Sequence, residues 1–357
     1  MQSPNQSGIA LVIVLWVIAL LAVIAVSFTT ATRGQANLVR NLVENAKAEA
    51  LADAGVYRAV LGLFKPRTEG LIDQEMENRL NLGTGSPAVA RLRIEDDLRR
   101  ELAAGNLAPE AAEAFTEGWR SDGTVYAWAF GGAEVRIAIR DEGGKIDLNA
   151  APDELLRGLF LSVEWTGPDG EAVGLDDAQA DALTDAVRDF ADPDDLRRLN
   201  GAEDGDYAAA GLPWGAKDAP FEAIEELQQV LGMTPMLYQQ VAPALTVYTG
   251  KKGIDPKSAP RKVLLALPGS DAAAVDAHLA ARAAAPEGAG PAFLGAEGFT
   301  ARSRRRIYTI RAEARTESGA IFVREAVVQF AGRAERPFRV LAWRQGRRAL
   351  SSAEPSE

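Results

Sequence analysis

Ile9-Ala-Leu-Val-Ile-Val-Leu-Trp-Val-Ile-Ala-Leu-Leu-Ala-Val-Ile-Ala-Val26 is an unbroken apolar run, and no ionisable side chain occurs from Ile9 to Thr32. About 20 helical residues at ~1.5 Å each cross a hydrocarbon layer of ~30 Å. A cleavable export signal has a shorter apolar core, about 7–15 residues, behind a basic start. Here Met1–Gly8 (MQSPNQSG) holds no Lys or Arg. The run therefore reads as a retained transmembrane helix over residues 9–28. The nearest basic residues, Arg33 and Arg40, lie on its C-terminal side and argue weakly against the usual charge rule for orientation.

The helical pattern continues outward. Leu38, Leu42, Ala46, Ala50, Ala54, Tyr57, Leu61 and Phe64 recur at three-or-four spacing, with no proline between Gln6 and Pro66. That spacing puts them on one stripe and predicts a helix over residues 9–64, apolar all round at first and amphipathic afterwards. Its second half should carry a globular head on this stripe.

Composition narrows the chemistry. The 357 residues include no cysteine and one histidine, His278, with a net charge of −11. Cysteine nucleophiles, disulfides and two-histidine metal sites are excluded. The acidic balance argues against nucleic acid as a partner. Charge is uneven: residues 141–240 hold 23 Asp and Glu against 6 Lys and Arg, whereas residues 301–348 hold 13 Arg against 4 Glu. The acidic stretch suits a hard cation or a solvated face. The basic stretch reads as arginines on alternating strand faces in preference to a phosphate patch. His278, in an Ala-rich helix, reads as a surface residue, and no Ser–Lys or dinucleotide motif is found.

Two alternating pairs flank the acidic stretch. Thr124–Phe130 and Ala133–Ile139 meet at Gly131-Gly132, and Ile307–Ala314 and Ala320–Phe330 meet at Ser318-Gly319. Both read as hairpins, with Phe338–Trp343 as a last strand. Between them the chain is Ala- and Leu-rich and mostly helical. The expected fold class is α+β: a long N-terminal helix, an antiparallel sheet from 65–149 and 300–345, and an all-α insertion at 150–299. Within the insertion Gly144-Lys-Ile-Asp-Leu-Asn-Ala-Ala-Pro152 is echoed by Gly253-Ile-Asp-Pro-Lys-Ser-Ala-Pro260. Each precedes a helix with paired leucines, which gives the motif a structural reading, since proline fits a first helical turn. Residues 284–291 read as a linker.

A short polar leader ending in Gly8, followed at once by an apolar helix that becomes amphipathic, resembles the type IV pilins and type II secretion pseudopilins. The resemblance implies that a prepilin peptidase cuts the leader 1–8 off between Gly8 and Ile9 and that Ile9 is then methylated. The leader lacks the family's usual basic residue. The fifth mature residue would be Ile13, where most members carry a glutamate. Such a carboxylate is tolerated in lipid only with a partner, thought to be the terminal amine of the adjoining subunit. A subunit without it belongs at the top of the fibre. Among pseudopilins the large minor subunit of the K type lacks this glutamate, and it carries an all-α insertion in a pilin-like sheet and a motif like Ile-Asp-x-x-x-Ala-Pro.

The resemblance implies a minor pseudopilin at the tip of the type II secretion pseudopilus that initiates or caps its assembly. It would not be an enzyme. It would sit in the bacterial inner membrane with its head in the periplasm. Its partners would be I- and J-like minor pseudopilins and the major pseudopilin. A membrane-anchored periplasmic enzyme or binding domain is the alternative. The carboxylates Asp189, Asp192, Asp194, Glu203, Asp204 and Asp206 are the densest cluster, and Gly201 and Gly205 would let backbone carbonyls turn inward. Calcium takes six to eight oxygens of this kind, but the spacing is not that of an EF-hand. The pattern resembles the calcium-binding segment of K-type pseudopilins, which implies a structural calcium ion.

Overall fold

The computed structural model describes residues 7–80, 119–166, 171–285, 290–293, 296–304, 306–333 and 336–347. Within the first helix, side chains are described at 13–24 and 38–63. The leader residues 1–6, and residues 81–118 of the sheet region expected at 65–149, lie outside the described residues. Gly8 and Ile9 are described by backbone alone.

Helix α1 runs from Ser7 to Leu80. The expected end at Phe64 is corrected: Pro66 lies inside the helix. A proline there removes one backbone hydrogen bond at about 3 kcal/mol, and Lys65, Arg67 and Glu69 around it include good helix formers. Among the described residues no helix is both long and apolar enough to cross a membrane; of the expected span 9–28, side chains are described only at 13–24.

Five antiparallel strands form the main sheet, in the order β1-β2-β7-β8-β9. They are β1 (Asp122–Phe130), β2 (Ala133–Asp141), β7 (Ile307–Thr316), β8 (Ile321–Arg333) and β9 (Arg336–Gln345). The β1–β2 hairpin pairs Phe130 with Ala133. Gly131 and Gly132 both have positive φ, 60° and 70°, as a two-residue turn matched to the strand twist requires. β2 and β7 then pair without a slip from Ala133↔Thr316 to Asp141↔Tyr308. Strands separated by more than 160 residues are thus neighbours, and the intervening chain is an insertion between them.

Helix α1 packs across β2, β7 and β8. Its buried face is Ala48, Leu51, Ala52, Val56, Ala59, Val60 and Leu63, set against Val135, Ile137, Ile310, Ala312 and Val328. This corrects the stripe expected from the sequence. Leu42, Ala46, Ala50, Tyr57 and Leu61 point to solvent. Close approach decides the face: a Cβ on Gly55 would stand 2.8 Å from Val135 Cγ1 and 3.0 Å from Ala312 Cβ. Only the Ala- and Gly-rich side lets the helix settle this near a sheet.

The insertion has its own core around Leu155, Leu159, Phe160, Val187, Phe190, Tyr207 and Leu264. Its elements are β3 (Ile146–Asp147), α2 (Asp153–Leu161), β4 (Glu164–Thr166), β5 (Ala172–Gly174), α3 (Asp177–Asp189), α4 (Asp204–Ala209), α5 (Pro235–Val241), β6 (Leu245–Thr246), α6 (Arg261–Leu265) and α7 (Ala272–Ala284). It is therefore not all helical: β4 pairs with β5, and β3 pairs with β6 in parallel.

The internal repeat is structural. Asp147 accepts hydrogen bonds from Asn149 N, Thr249 N and Gly250 N, and its carbonyl accepts from Ala151 N. Asp255 accepts from Lys257 N and Ser303 N, and its carbonyl from Ala259 N. Pro152 and Pro260 then stand at the N-caps of α2 and α6. Each motif converts a short parallel bridge into a helix start.

Candidate functional site

Two features of the molecule are unlike an inert scaffold: an apolar stripe left open on α1, and a set of carboxylates drawn into the insertion.

The stripe comprises Leu38, Val39, Leu42, Val43, Tyr57 and Leu61, with Leu42 60% and Leu61 57% exposed. Leu38 and Leu42 continue the line of Val56 and Val60 at a spacing of about five turns, on the part of α1 that precedes the sheet, while Val39 and Val43 share a face with Leu61 and with Tyr57, whose ring lies 5.7 Å from that of Trp343 on β9. Ile13, in the apolar half of the helix, is 58% exposed. A contiguous apolar surface rimmed by polar residues marks an interaction site in a soluble environment.

The acidic centre is built where α3 ends and α4 begins. Asp189, the last residue of α3, is fully buried. Both its oxygens accept from the Arg198 backbone N–H, at 3.1 and 3.3 Å. Gly201 lies against this carboxylate so closely that no side chain fits there. Burial, with the charge of Asp192 next to it, holds the Asp189 carboxyl above its ordinary value. Asp192 is pushed up by burial and by Asp194, and its Oδ1 is buried with no hydrogen-bond partner. Glu203 is buried with neither carboxylate oxygen partnered. Burial first, then the charges of Asp189, Asp192, Asp218 and Asp195, raise its carboxyl to about 7.

Of the six carboxylates expected from the sequence, Asp189, Asp192 and Glu203 converge electrostatically. The other three serve the local fold. Asp194 Oδ1 accepts from Leu196 N, Asp204 Oδ1 from Ala216 N, and Asp206 accepts from Glu203 N while pairing with Arg197. Asp218 is a residue that the sequence reading missed. It adopts a left-handed backbone conformation, φ 54°, and its N–H donates to Phe190 O. The signal was the general acidity of the stretch; its position depends on a chain reversal that spacing does not reveal. Among the described residues no three carboxylate or histidine side chains form a ready-made metal cage.

The rest of the centre is braced by cations. Arg198 pairs with Asp153 and Asp185, and Arg188 with Asp153. These contacts fix the loop between Asp192 and Asn200 on α2 and α3. His278 corrects another expectation: it is buried in α7, within 3.1 Å of Pro256 O through Nε2 and edge-on to Phe293.

The chain is similar to known proteins over part of its length. Residues 171–250, which contain the acidic centre, match the family model described as type II secretion system, protein K. The chain is 37% identical over 71 residues to a type II secretion system protein K of Pectobacterium carotovorum, covering 20% of this chain and 22% of that protein. It is 23% identical over 247 residues to a putative type II secretion system protein K of Escherichia coli K12, covering 68% of this chain and 63% of that protein. The matched stretches thus span less than two thirds of either relative. A chain from a crystal structure of the GspK-GspI-GspJ complex of the enterotoxigenic Escherichia coli type 2 secretion system overlays with a TM-score of 0.47 at 17% identity, covering 72% of this chain and 99% of that chain.

Proposed function

We propose that this chain is a minor pseudopilin of the K type, a structural subunit that starts or caps the pseudopilus of a type II secretion system. The observation that carries this reading is that α1 spends one stretch on its own head and leaves apolar side chains open before and beside it. One face, Ala48 to Leu63, is consumed by the subunit's own sheet. Leu38, Val39, Leu42 and Val43 ahead of the sheet, and Leu61 beside the buried face, are apolar and left open. A fibre of parallel helices needs that arrangement: a head fixed to its helix, and a helix stripe free to pack on its neighbours. The similarity of residues 171–250 to protein K supports the same assignment.

Within this reading the apolar run at 9–28 anchors the chain in the inner membrane with its head in the periplasm. Prepilin peptidase removes the leader after Gly8, and Ile9 becomes the methylated N-terminus. Ile13 carries no charge to receive the terminal amine of a subunit above, so the chain sits at the tip. Its partners are I- and J-like minor pseudopilins, followed by the major pseudopilin below. Its role is assembly and not catalysis.

In this reading a structural calcium ion draws the carboxylates of the acidic centre together, since among the described residues no cage stands ready-made. Glu203 and Asp192 supply buried oxygens without partners, and Asp189 and Asp218 supply further negative charge beside them. These are hard oxygen donors of the class calcium takes. The ion would neutralise carboxylates that otherwise repel one another and would hold the loops on either side of α4 in place.

Mass spectrometry of the mature N-terminus, combined with an Ile13→Glu variant, tests the proposal. Methylated Ile9 is expected, and Ile13→Glu should impair secretion or let the subunit enter the fibre shaft. An intact Met1, together with a variant that secretes normally from the same place in the fibre, would overturn it.

A further inference from the structure

The Arg-rich stretch is not wholly absorbed by strand faces. Arg324 and Arg344 are engaged by Glu49, Asp53, Glu225 and Glu325. Arg302, Arg304 and Arg306 are different. All three are exposed, and among the described residues none makes an ion pair. They alternate along the run that enters β7. Thr300 makes a parallel bridge to Ile254, Ala301 N donates to Ile254 O, Ser303 N donates to Asp255 Oδ2, and Phe330 N donates to Arg306 O. Ala301 and Ser303 thus turn inward to the insertion, and Arg302, Arg304 and Arg306 are exposed.

Two grooves adjoin along this row and share Arg304. One, of about 700 Å³, is walled by Arg302, Arg304, Lys257, Pro291 and Phe293. The other, of about 210 Å³, is walled by Arg304, Arg306, Lys251, Tyr248 and Ile307. Asp255 and Asp141 also border them, but Asp255 is occupied by Lys257 N and Ser303 N, and Asp141 Oδ1 by Gly143 N. The result is a row of unpaired guanidinium groups between apolar walls, on a chain whose net charge is −11.

We propose that this row is a docking surface for an extended acidic segment of a partner protein, with Asp or Glu at every second residue. Alternate residues of an extended chain recur about every 6.6 Å, and Arg302, Arg304 and Arg306 are alternate residues of this run. Guanidinium groups take carboxylates in a two-pronged geometry. Phe293, Pro291, Tyr248 and Ile307 suit the small apolar side chains between the acids. A long polyanion or an anionic bilayer would meet the acidic remainder of the chain within a Debye length of about 8 Å, whereas a short peptide stays within the patch. This inference does not depend on the secretion reading.

The test uses the full chain in nonionic detergent and a fluorescein-labelled peptide of four Asp-Val repeats, read by anisotropy. Binding is expected to weaken as salt rises, to be absent for four Asn-Val repeats, and to fall at least about tenfold in R302Q/R304Q/R306Q with an unchanged melting midpoint. Arg304→Gln alone, which touches both grooves, should lower affinity severalfold and keeps the test decisive if the triple variant misfolds. Equal affinity in the variants, or equal binding of the Asn-Val peptide, overturns the proposal. So does tighter, arginine-dependent binding of oligothymidylate or of phosphatidylglycerol in mixed micelles.

Discussion

Arg324 on β8 holds Asp53 of α1, Nε to Oδ1 at 2.5 Å, while its Nη2 reaches Glu49 Oε1 at 2.6 Å. Its guanidinium also lies over the rings of Phe322 and Trp343. The head is therefore locked to its helix by charge as well as by the apolar face next to it. Asp53 and Glu49 are partly exposed, which limits the worth of the pairs, but Arg324 is itself buried. Arg324→Leu is expected to lower stability by about 2 kcal/mol. Urea unfolding of the full chain checks this; a change within a few tenths would mean that the apolar contacts alone fix the helix.

The open stripe makes a contrasting prediction. Leu42→Lys and Leu61→Lys replace exposed side chains, so each should change stability by less than about 0.5 kcal/mol. Both should abolish co-purification with partner pseudopilins. Val56→Lys, on the buried face, should instead unfold the head. Circular dichroism melts together with pull-downs separate the two faces. Normal assembly by the Leu42 and Leu61 variants would remove the stripe from the interface.

These contrasts also define what the amino-acid pattern could convey. Both hairpins were legible because Gly131-Gly132 and Ser318-Gly319 interrupt clean alternation. The helix was legible too, but not its inner face. α1 carries two apolar stripes, and periodicity does not say which one meets the sheet. Part of the answer lies in size, since Ala48, Ala52, Gly55 and Ala59 admit close approach while Tyr57 and Leu61 stay outside, and part in reach, since Leu42 lies in line with the buried Val60 but ahead of the sheet. His278 was misjudged for a related reason. Its Ala-rich helix offers no local contrast, and its burial comes from Pro256 and Phe293 elsewhere in the chain. In the acidic stretch the density of charge was visible. Which oxygens lose their partners depends on how α3 and α4 meet, and on Asp218 arriving from a later loop.

The packing of the two repeated motifs yields a third prediction. α2 and α6 approach so closely that a Cβ on Gly158 would stand 2.9 Å from the Ala266 carbonyl carbon and nearer still to its oxygen. Backbone cannot yield as the end of a flexible side chain can. Gly158→Ala usually favours a helix by about 1 kcal/mol, yet here it should destabilise by at least about 2 kcal/mol. Chemical denaturation reads the sign directly, and a stabilised variant would show that the two motifs do not pack in this way.

The acidic centre sets the pH dependence. Glu203 titrates near an ordinary 4.5 in the unfolded chain and at about 7 in the folded one. Between those values the folded state binds more protons, so stability is present below the lower value and is lost as pH rises through the upper one. Asp189 and Asp192 are shifted in the same direction, each by burial first, then Asp189 by the charge of Asp192 and Asp192 by that of Asp194. In chelator the melting midpoint should therefore fall between about pH 5 and about pH 8. Calcium reverses this, because an ion favours the ionised carboxylates. It should raise the midpoint strongly at the higher pH and little at the lower, and magnesium, which demands stricter octahedral geometry, should do less. Glu203→Gln keeps the shape and removes the charge. It should flatten the pH dependence in chelator and abolish the calcium response together. A midpoint that ignores calcium at both pH values would leave Glu203 a buried acid held neutral by its surroundings, with no metal to explain it.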